Sequence, residues 1–531
     1  MPRPGFVLDV DRSTPPILFH HGEGFRLEKL PAERSRVIYP AEPLEPLANP
    51  DAAIAHALAN PVGDCEPLAA LLRPGMKLTI AFDDISLPLP PMRQPDIRQR
   101  IIEQVLDLAA AAGVDDVELI AALALHRRMT EAELRHAVGD RVYEAFAPDG
   151  LLSNHDAEDP DNLAELGQTN QGEKVIINKR AAESDLLVYV NLNIVAMDGG
   201  WKSTATGLSA YESLKHHHNV RTMTHSRSFM DRHRSELHHS NWRMGEVLKA
   251  NGPKIFQIET TMNNDVFGTE GPMSVLQKRE WEWTARDRYT FLGMQKGLER
   301  LSPRLRRQIF QSWKAPHAMT SVQAGEVEAV HEVTLANVHH QHLVPVEGQT
   351  DILTMGLPYI CPYNVNSIMN PILVMCLGLG YFFNLYRGRP PVREGGVLIM
   401  SHPTPWDFHP VHHPSYIDFF EQVLAETTDP VELEARFEQQ FAEDEWYRHL
   451  YRTSYAYHGV HPFYMWYWGS HAMAHLGRVI IVGGDVRAVR RLGFQPASTL
   501  ADALEMASDV VGRDGTITHL HNPPILMADV T

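Results

Sequence analysis

The residues best suited to chemistry stand where apolar runs end. The run DLLVYVNLNIV (185–195) leads into Asp198-Gly-Gly-Trp-Lys-Ser-Thr204, which gathers two glycines, a lysine and two hydroxyls in one turn. It is not a Walker A loop, because Trp201 separates Gly200 from Lys202 and no glycine stands at the upstream position. What remains is a turn whose backbone N–H groups suit a single phosphate or nucleotide. An ordinary turn with a surface lysine is the competing reading. His218 follows Lys202 by sixteen residues, in a row with His216 and His217. Neutral imidazole ligates nickel, copper and zinc. Neighbouring residues on a helix point about 100° apart, so one or two of the three reach a common metal. The alternative is a polar helix end that favours the dipole.

His126 directly follows the run VELIAALAL (117–125), and Asp83 and Asp84 end KLTIAFDD (77–84). Strand ends of this kind carry catalytic side chains in α/β folds, although a structural histidine at a helix start reads the same way. Asn154, His155 and Asp156 open a turn-rich loop and suit backbone bonds as well as substrate bonds. His471 and His475 are spaced i, i+4 but lack the glutamate of a metalloprotease, which favours a packed helix face beside Trp466 and Trp468.

The elements that position these residues alternate. Between the strands ending at Asp84 and Leu125 lies DIRQRIIEQVLDLAAAAG, apolar at helical spacing and stopped at Gly113. KIFQIETT (254–261) reads as another strand, and a polar helix-rich stretch (275–345) precedes the strands DILTMGLPY, GGVLIMSHP, GRVIIVGGD and TITHLHNPP. This rhythm predicts two Rossmann-like α/β domains with mostly parallel sheets and a site in the cleft between them. The expected division is 1–345, with a helix-rich insertion at about 221–320, and 346–531.

Net charge is −18, which argues against a nucleic-acid or anionic-membrane surface. The three cysteines, Cys65, Cys361 and Cys376, show no paired spacing, which points to a reducing cytoplasm. The start has no apolar signal region. The apolar stretch 368–386 is interrupted by Asn370, Pro371, Asn384 and two glycines, so it reads as a buried helix under a sheet and not a membrane span.

Taken in order, AFDDISLPLP, ALALHRRMT, NHDAEDPDNLAELG, the Gly-Gly-x-Lys turn and the Tyr-Glu-Ser…His-Asn stretch resemble the lactate racemase family, with further likeness through GEVEAVHEV and LGRVIIVGGDVRAVRRLGFQPASTLADALEMA. The resemblance implies a cofactor-binding N-terminal domain and a nickel-pincer nucleotide, a pyridinium-3-thioamide-5-thiocarboxylic acid mononucleotide joined to a lysine. Lys202 would be the tether and His218 the nickel ligand. Asp84, Ser86, Gly199 and Gly200 would contact the cofactor, and His126 would be the general base. The implied activity is racemisation or epimerisation of a 2-hydroxy acid by hydride transfer. Separate cofactor-making enzymes are implied partners, as is a homo-oligomer, with no nucleic acid and no membrane.

Three positions depart from that family. Its second catalytic histidine, ten residues before the lysine, is Leu192, and the candidates to replace it are His402, His409, His412 and His413. Its substrate arginine is Leu87, for which Arg93, Arg127 or Arg128 could stand in. Its Gln-x-x-Lys pair falls near Ser367 and Asn370. These changes predict a substrate larger or more polar than lactate, such as a sugar acid or another hydroxy compound. Net redox or elimination chemistry with the same cofactor, and a cofactor-free binding protein, are the competing functions.

Overall fold

The computed structural model describes residues 2–531 and is mixed α/β, with mostly parallel sheets. A six-stranded sheet runs in the order Met319–Gly325, Lys254–Met262, Leu186–Asn193, Lys77–Asp83, Asp116–Ala122, Leu152–Asn154. Met319–Gly325 pairs antiparallel and the others parallel. Leu186–Asn193 is buried along its whole length, because parallel strands covered on both faces need continuous apolar sequence. The helix Ile97–Ala111 supplies part of that cover through Ile97, Ile101, Ile102, Val105 and Ala109, and Asp96 caps it by accepting from the Arg98 N–H. Register sets Asp83 opposite Ala122 and Phe82 opposite Val190, so three loops leave one edge of the sheet together.

The second sheet has nine strands. Its main path is Phe6–Asp9, Ser35–Tyr39, Ile517–Leu520, Thr350–Pro358, Val392–Ser401, Arg478–Val482 and Gln495–Ala497. The hairpin of Ile17–Gly22 and Phe25–Glu28 joins at the end of Thr350–Pro358. Residues 6–39 therefore pair with strands from beyond residue 350, while the first sheet draws on 77–325. The stretch 275–345, expected to be helix-rich, contains the strands Met319–Gly325 and Leu343–Val346. Each of them pairs with a strand distant in sequence.

The inserted helices Ala285–Arg300 and Pro303–Ser312 build a small core of Phe291, Leu298 and Phe310 with Trp283, packed on Leu18 and Phe25 of the hairpin. Glu280 fastens this unit. Its buried carboxylate accepts from the Leu18 N–H at 2.9 Å and the Tyr39 hydroxyl at 2.7 Å, and meets His521 Nε2 at 2.7 Å.

The apolar stretch at 368–386 forms the helix Pro371–Met375, capped by Asn370, which continues in wider turns over Cys376–Phe382. Gly378 lies so close to Met400 that any Cβ would overlap the Met400 sulfur. This is the expected buried helix under a sheet. No helix among the described residues is long and apolar enough to cross a membrane.

Candidate active site

Where the loops leave the first sheet, a cavity of about 200 Å³ opens. Asp83, Asp84, Ser86, His126, Lys202 and His218 line it, together with Tyr363, Tyr381, His461, Tyr464 and Trp468. Gly199 also reaches it. Gly200 does not; it faces a neighbouring pocket with His238 and His331.

His126 Nδ1 lies 2.8 Å from Asp84 Oδ2. Burial alone would raise the Asp84 pKa, but His126 and the Ser86 N–H and hydroxyl hold it below its ordinary value, so the carboxylate is ionised. An ionised carboxylate accepts from Nδ1–H, which leaves Nε2 as the ring nitrogen that can accept. The adjacent Asp83 has a different task. Burial pushes its carboxyl up to about 7, and it accepts from the Leu192 N–H and twice from Asn191 Nδ2, tying two strand ends together.

Lys202 Nζ stands 3.7 Å from Asp198 Oδ1, and Asp198 also accepts from the Ile194 and Val195 N–H groups. Gly199 and Gly200 have φ of +89° and +60°, which glycine adopts without strain. The turn is not an anion cradle, contrary to the phosphate-loop reading. The Gly200 N–H donates to Glu259 Oε1 at 2.6 Å, and the other oxygen of this fully buried carboxylate meets His331 Nδ1 at 3.2 Å. A carboxylate already fills the place an anion would take.

Of the three consecutive histidines only His218 lines the cavity, while His217 packs edge-on behind it at 4.6 Å. Burial, then His217 and Lys202, push the His218 pKa well below its ordinary value, so the imidazole is neutral. It stacks on Trp468 with centroids 5.3 Å apart, and its Nδ1 is buried without a partner. The Tyr464 hydroxyl and Trp468 Nε1 are likewise unpartnered. Buried polar atoms are almost always bonded, so this cluster on one cavity wall fits a bound polar group. Among the described residues no three His, Cys, Asp or Glu side chains converge on a metal position. His218 and Lys202 thus face the same cavity, a pair that fits a metal whose other ligands come from a lysine-bound cofactor.

Residues 21–231 match the lactate racemase N-terminal domain. A lactate racemase from Lactiplantibacillus plantarum is 27% identical over 168 residues, 30% of this chain and 37% of that protein, so the match spans little more than a third of the relative's length. The lactate racemase apoprotein from Thermoanaerobacterium thermosaccharolyticum superposes with a TM-score of 0.63 at 18% identity, over 97% of this chain and 99% of that one.

The N-terminal part of the chain is thus similar to the lactate racemase N-terminal domain, and the chain as a whole has the fold of a lactate racemase apoprotein.

Against that family the departures become concrete. Leu192 is fully buried in the apolar core beneath the sheet and does not line the cavity, because strand alternation turns it away from Asn191 and Asn193. None of the expected replacement histidines lines the cavity either. His402 Nδ1 accepts from the Thr404 N–H, His409 stacks on His412, and His413 Nε2 meets the Tyr363 carbonyl. The histidine that does reach it is His461, whose ring centroid is 5.5 Å from that of His126. Its Nδ1 lies 2.6 Å from the Tyr416 hydroxyl, and its Nε2 is buried without a partner. Pro462, which suits the first turn of a helix, was the one local sign that a helix opens at His461.

Arg127 is buried in a two-pronged pair with Glu133 at 2.9 and 2.7 Å, and Arg128 donates to the Arg452 carbonyl. Neither they nor Arg93 line the cavity, so no arginine replaces the one lost at Leu87. Asn370 caps a helix and, with Ser367, also lies outside it. His471 and His475 bond separately to the Tyr386 hydroxyl and the Val392 carbonyl, as packed helix residues do.

Proposed function

We propose that this protein inverts the configuration of a hydroxyl-bearing carbon, as a racemase or epimerase that uses a nickel-pincer nucleotide joined to Lys202, with the nickel held by His218. When bound, that group supplies a hydride acceptor and donor. The convergence of the His126–Asp84 pair, Lys202 and His218 on one cavity carries this reading.

His126 Nε2 takes the hydroxyl proton as the carbon is oxidised, and Asp84 steadies the imidazolium that results. Proton return to the same oxygen follows once the planar carbonyl carbon has been reduced from its other face. Asp83, Asn191 and the Leu192 N–H fix the strand ends that carry Asp84 and the Lys202 turn. The apolar wall of Leu377, Phe382, Leu385 and Met465 keeps water from the carbonyl. His218 enters as a neutral ligand because burial denies it a proton.

Protein co-produced with the cofactor-making enzymes should gain the mass of the nucleotide and about one nickel per chain, as one metal-ligating imidazole requires. Lys202→Ala should gain neither. Unmodified, nickel-free protein under conditions that load a lactate racemase would end this reading.

A second reading keeps the cofactor for net redox chemistry. Its support is Leu192, whose burial removes the family's second base. Reaction in deuterated water with and without an added two-electron acceptor separates the two: inversion by internal return leaves the carbon-bound hydrogen unlabelled and regenerates the alcohol, whereas net redox accumulates ketone in step with the acceptor reduced.

A further inference from the structure

We infer that the cavity selects an uncharged hydroxy compound, an amide or simple carbinol with an apolar or aromatic body, over a 2-hydroxy carboxylate; this rests on the function proposed above. Three aspartates, Asp83, Asp84 and Asp198, line the cavity against one cation, Lys202. Attachment of a thioamide to Lys202 removes the side chain's own charge, so any positive charge left there belongs to the bound group. The nearby arginines are committed elsewhere: Arg127 to Glu133, and Arg98 to Asp96 and to the carbonyls of Asp83 and Asp84. A substrate carboxylate would therefore be buried without a side-chain cation and beside the ionised Asp84, an arrangement that is unfavourable. What the wall offers instead is neutral. The Tyr464 hydroxyl and Trp468 Nε1 are unpartnered donors, and Leu87, Leu377, Phe382 and Met465 supply apolar contact. Such donors match a carbonyl or hydroxyl oxygen. The expected more polar substrate does not suit this wall.

The test is calorimetric binding of mandelamide and mandelate to the loaded enzyme, with the Lys202 adduct verified by mass. Mandelamide should bind at least about tenfold more tightly, the scale of one unmet charged hydrogen bond. Leu87→Arg, at a half-buried position on the wall, should reverse the order by giving the carboxylate a partner. Equal or tighter binding of mandelate by the unsubstituted enzyme, or binding of neither compound, overturns the inference. Absence of the adduct would sink the proposed function separately. If Leu87→Arg fails to fold, the comparison on the unsubstituted enzyme still decides.

A different observation points to His461 as the second proton-handling residue of the same reaction. Two imidazoles with centroids 5.5 Å apart flank a space in which one oxygen can reach both. His461 Nε2 has no partner, and the Tyr416 hydroxyl on Nδ1 can accept a proton bond or donate one, so the ring can present Nε2 bare or protonated. The hydroxyl proton passes to Nε2 as Nδ1–H turns to Tyr416. His126 would then serve one enantiomer and His461 the other.

His461→Asn should retain the Lys202 adduct and its nickel and lose interconversion in both directions by about 10²-fold or more, yet in a single-turnover acid quench it should still oxidise one enantiomer to the ketone and not the other. His126→Asn should show the opposite selectivity. Tyr416→Phe should move the same enantiomer as His461→Asn, by less. Equal losses of ketone from both enantiomers in the quench, or loss of the adduct, would make His461 structural and overturn the assignment.

Discussion

Replacing Asp84 by asparagine isolates what the carboxylate does for His126. The two side chains have the same shape. In Asp84→Asn the amide oxygen keeps the bonds from the Ser86 N–H and hydroxyl, while the amide NH₂ takes the place of Oδ2, 2.8 Å from Nδ1. An NH₂ can only donate, so Nδ1 becomes the acceptor and the ring proton moves to Nε2. His126 then shows the cavity an N–H and cannot take a proton. The loss in kcat/KM should equal the contribution of a positioned base, about 10²- to 10⁴-fold, or about 2.7 to 5.5 kcal/mol of barrier. Stability should change by less than about 1 kcal/mol, because every buried polar atom keeps a partner. Asp84→Ala should cost about 1–3 kcal/mol in addition, since it leaves the Ser86 and His126 donors unmatched.

The pH dependence has a definite sign. The Asp84 pKa lies below its ordinary 3.8, so its stabilisation is present above that value and is lost as pH falls through the lowered one. Asp84→Asn should therefore lose less stability than the unsubstituted protein on acidification. Enantiomer interconversion followed by chiral chromatography, with adduct mass and denaturant midpoints measured alongside, checks all three quantities. Activity within about tenfold of the unsubstituted enzyme in adduct-bearing Asp84→Asn, well short of a lost base, would refute the assignment of His126 as a base oriented by Asp84.

Glu280→Ala should destabilise the protein by about 3–5 kcal/mol, since it breaks a buried pair, and limited proteolysis should then cut first within 264–316. The Glu280 pKa is lowered by His521 and its other donors against the effect of burial, so in the unsubstituted protein this clamp weakens as pH falls through the lowered value; parallel melts at neutral and acid pH read that difference. Gly200→Ala should cost about 1–2 kcal/mol through its positive φ and, by displacing the N–H from Glu259, should reduce adduct formation on Lys202 in the mass spectrum.

Sequence showed most clearly the parts whose partners are local or whose environment is uniform. Lys77–Asp83 and Leu186–Asn193 announce themselves because both faces are covered and no polar alternation is needed. His126 and Lys202 could be read as site residues because a strand end fixes where such a side chain points. The missed features depend on distant partners. Nothing in SRVIY (35–39) says that it lies beside Ile517–Leu520, and nothing in the Gly-Gly turn says that Glu259 occupies its N–H. Arg127 is an attractive anion clamp until Glu133 is seen to hold it. His461 lies in an all-apolar and aromatic helix with no polar pattern to mark it, so only the packed cavity brings it opposite His126.

The pairing of Ser35–Tyr39 with Ile517–Leu520 also governs when the molecule can exist. At about 5–20 residues per second of synthesis, roughly 480 residues take from about half a minute to a minute and a half to follow. During that interval the segment Ile17–Tyr39 has left the ribosome with its edges and apolar faces open, and the first sheet can form beside it from 77 to 325. Such edges attract other nascent chains. A polypeptide released before residue 517 leaves those strands without their neighbour for good, so premature termination yields an aggregation-prone fragment even though the strands bearing His126 and Lys202 are already made.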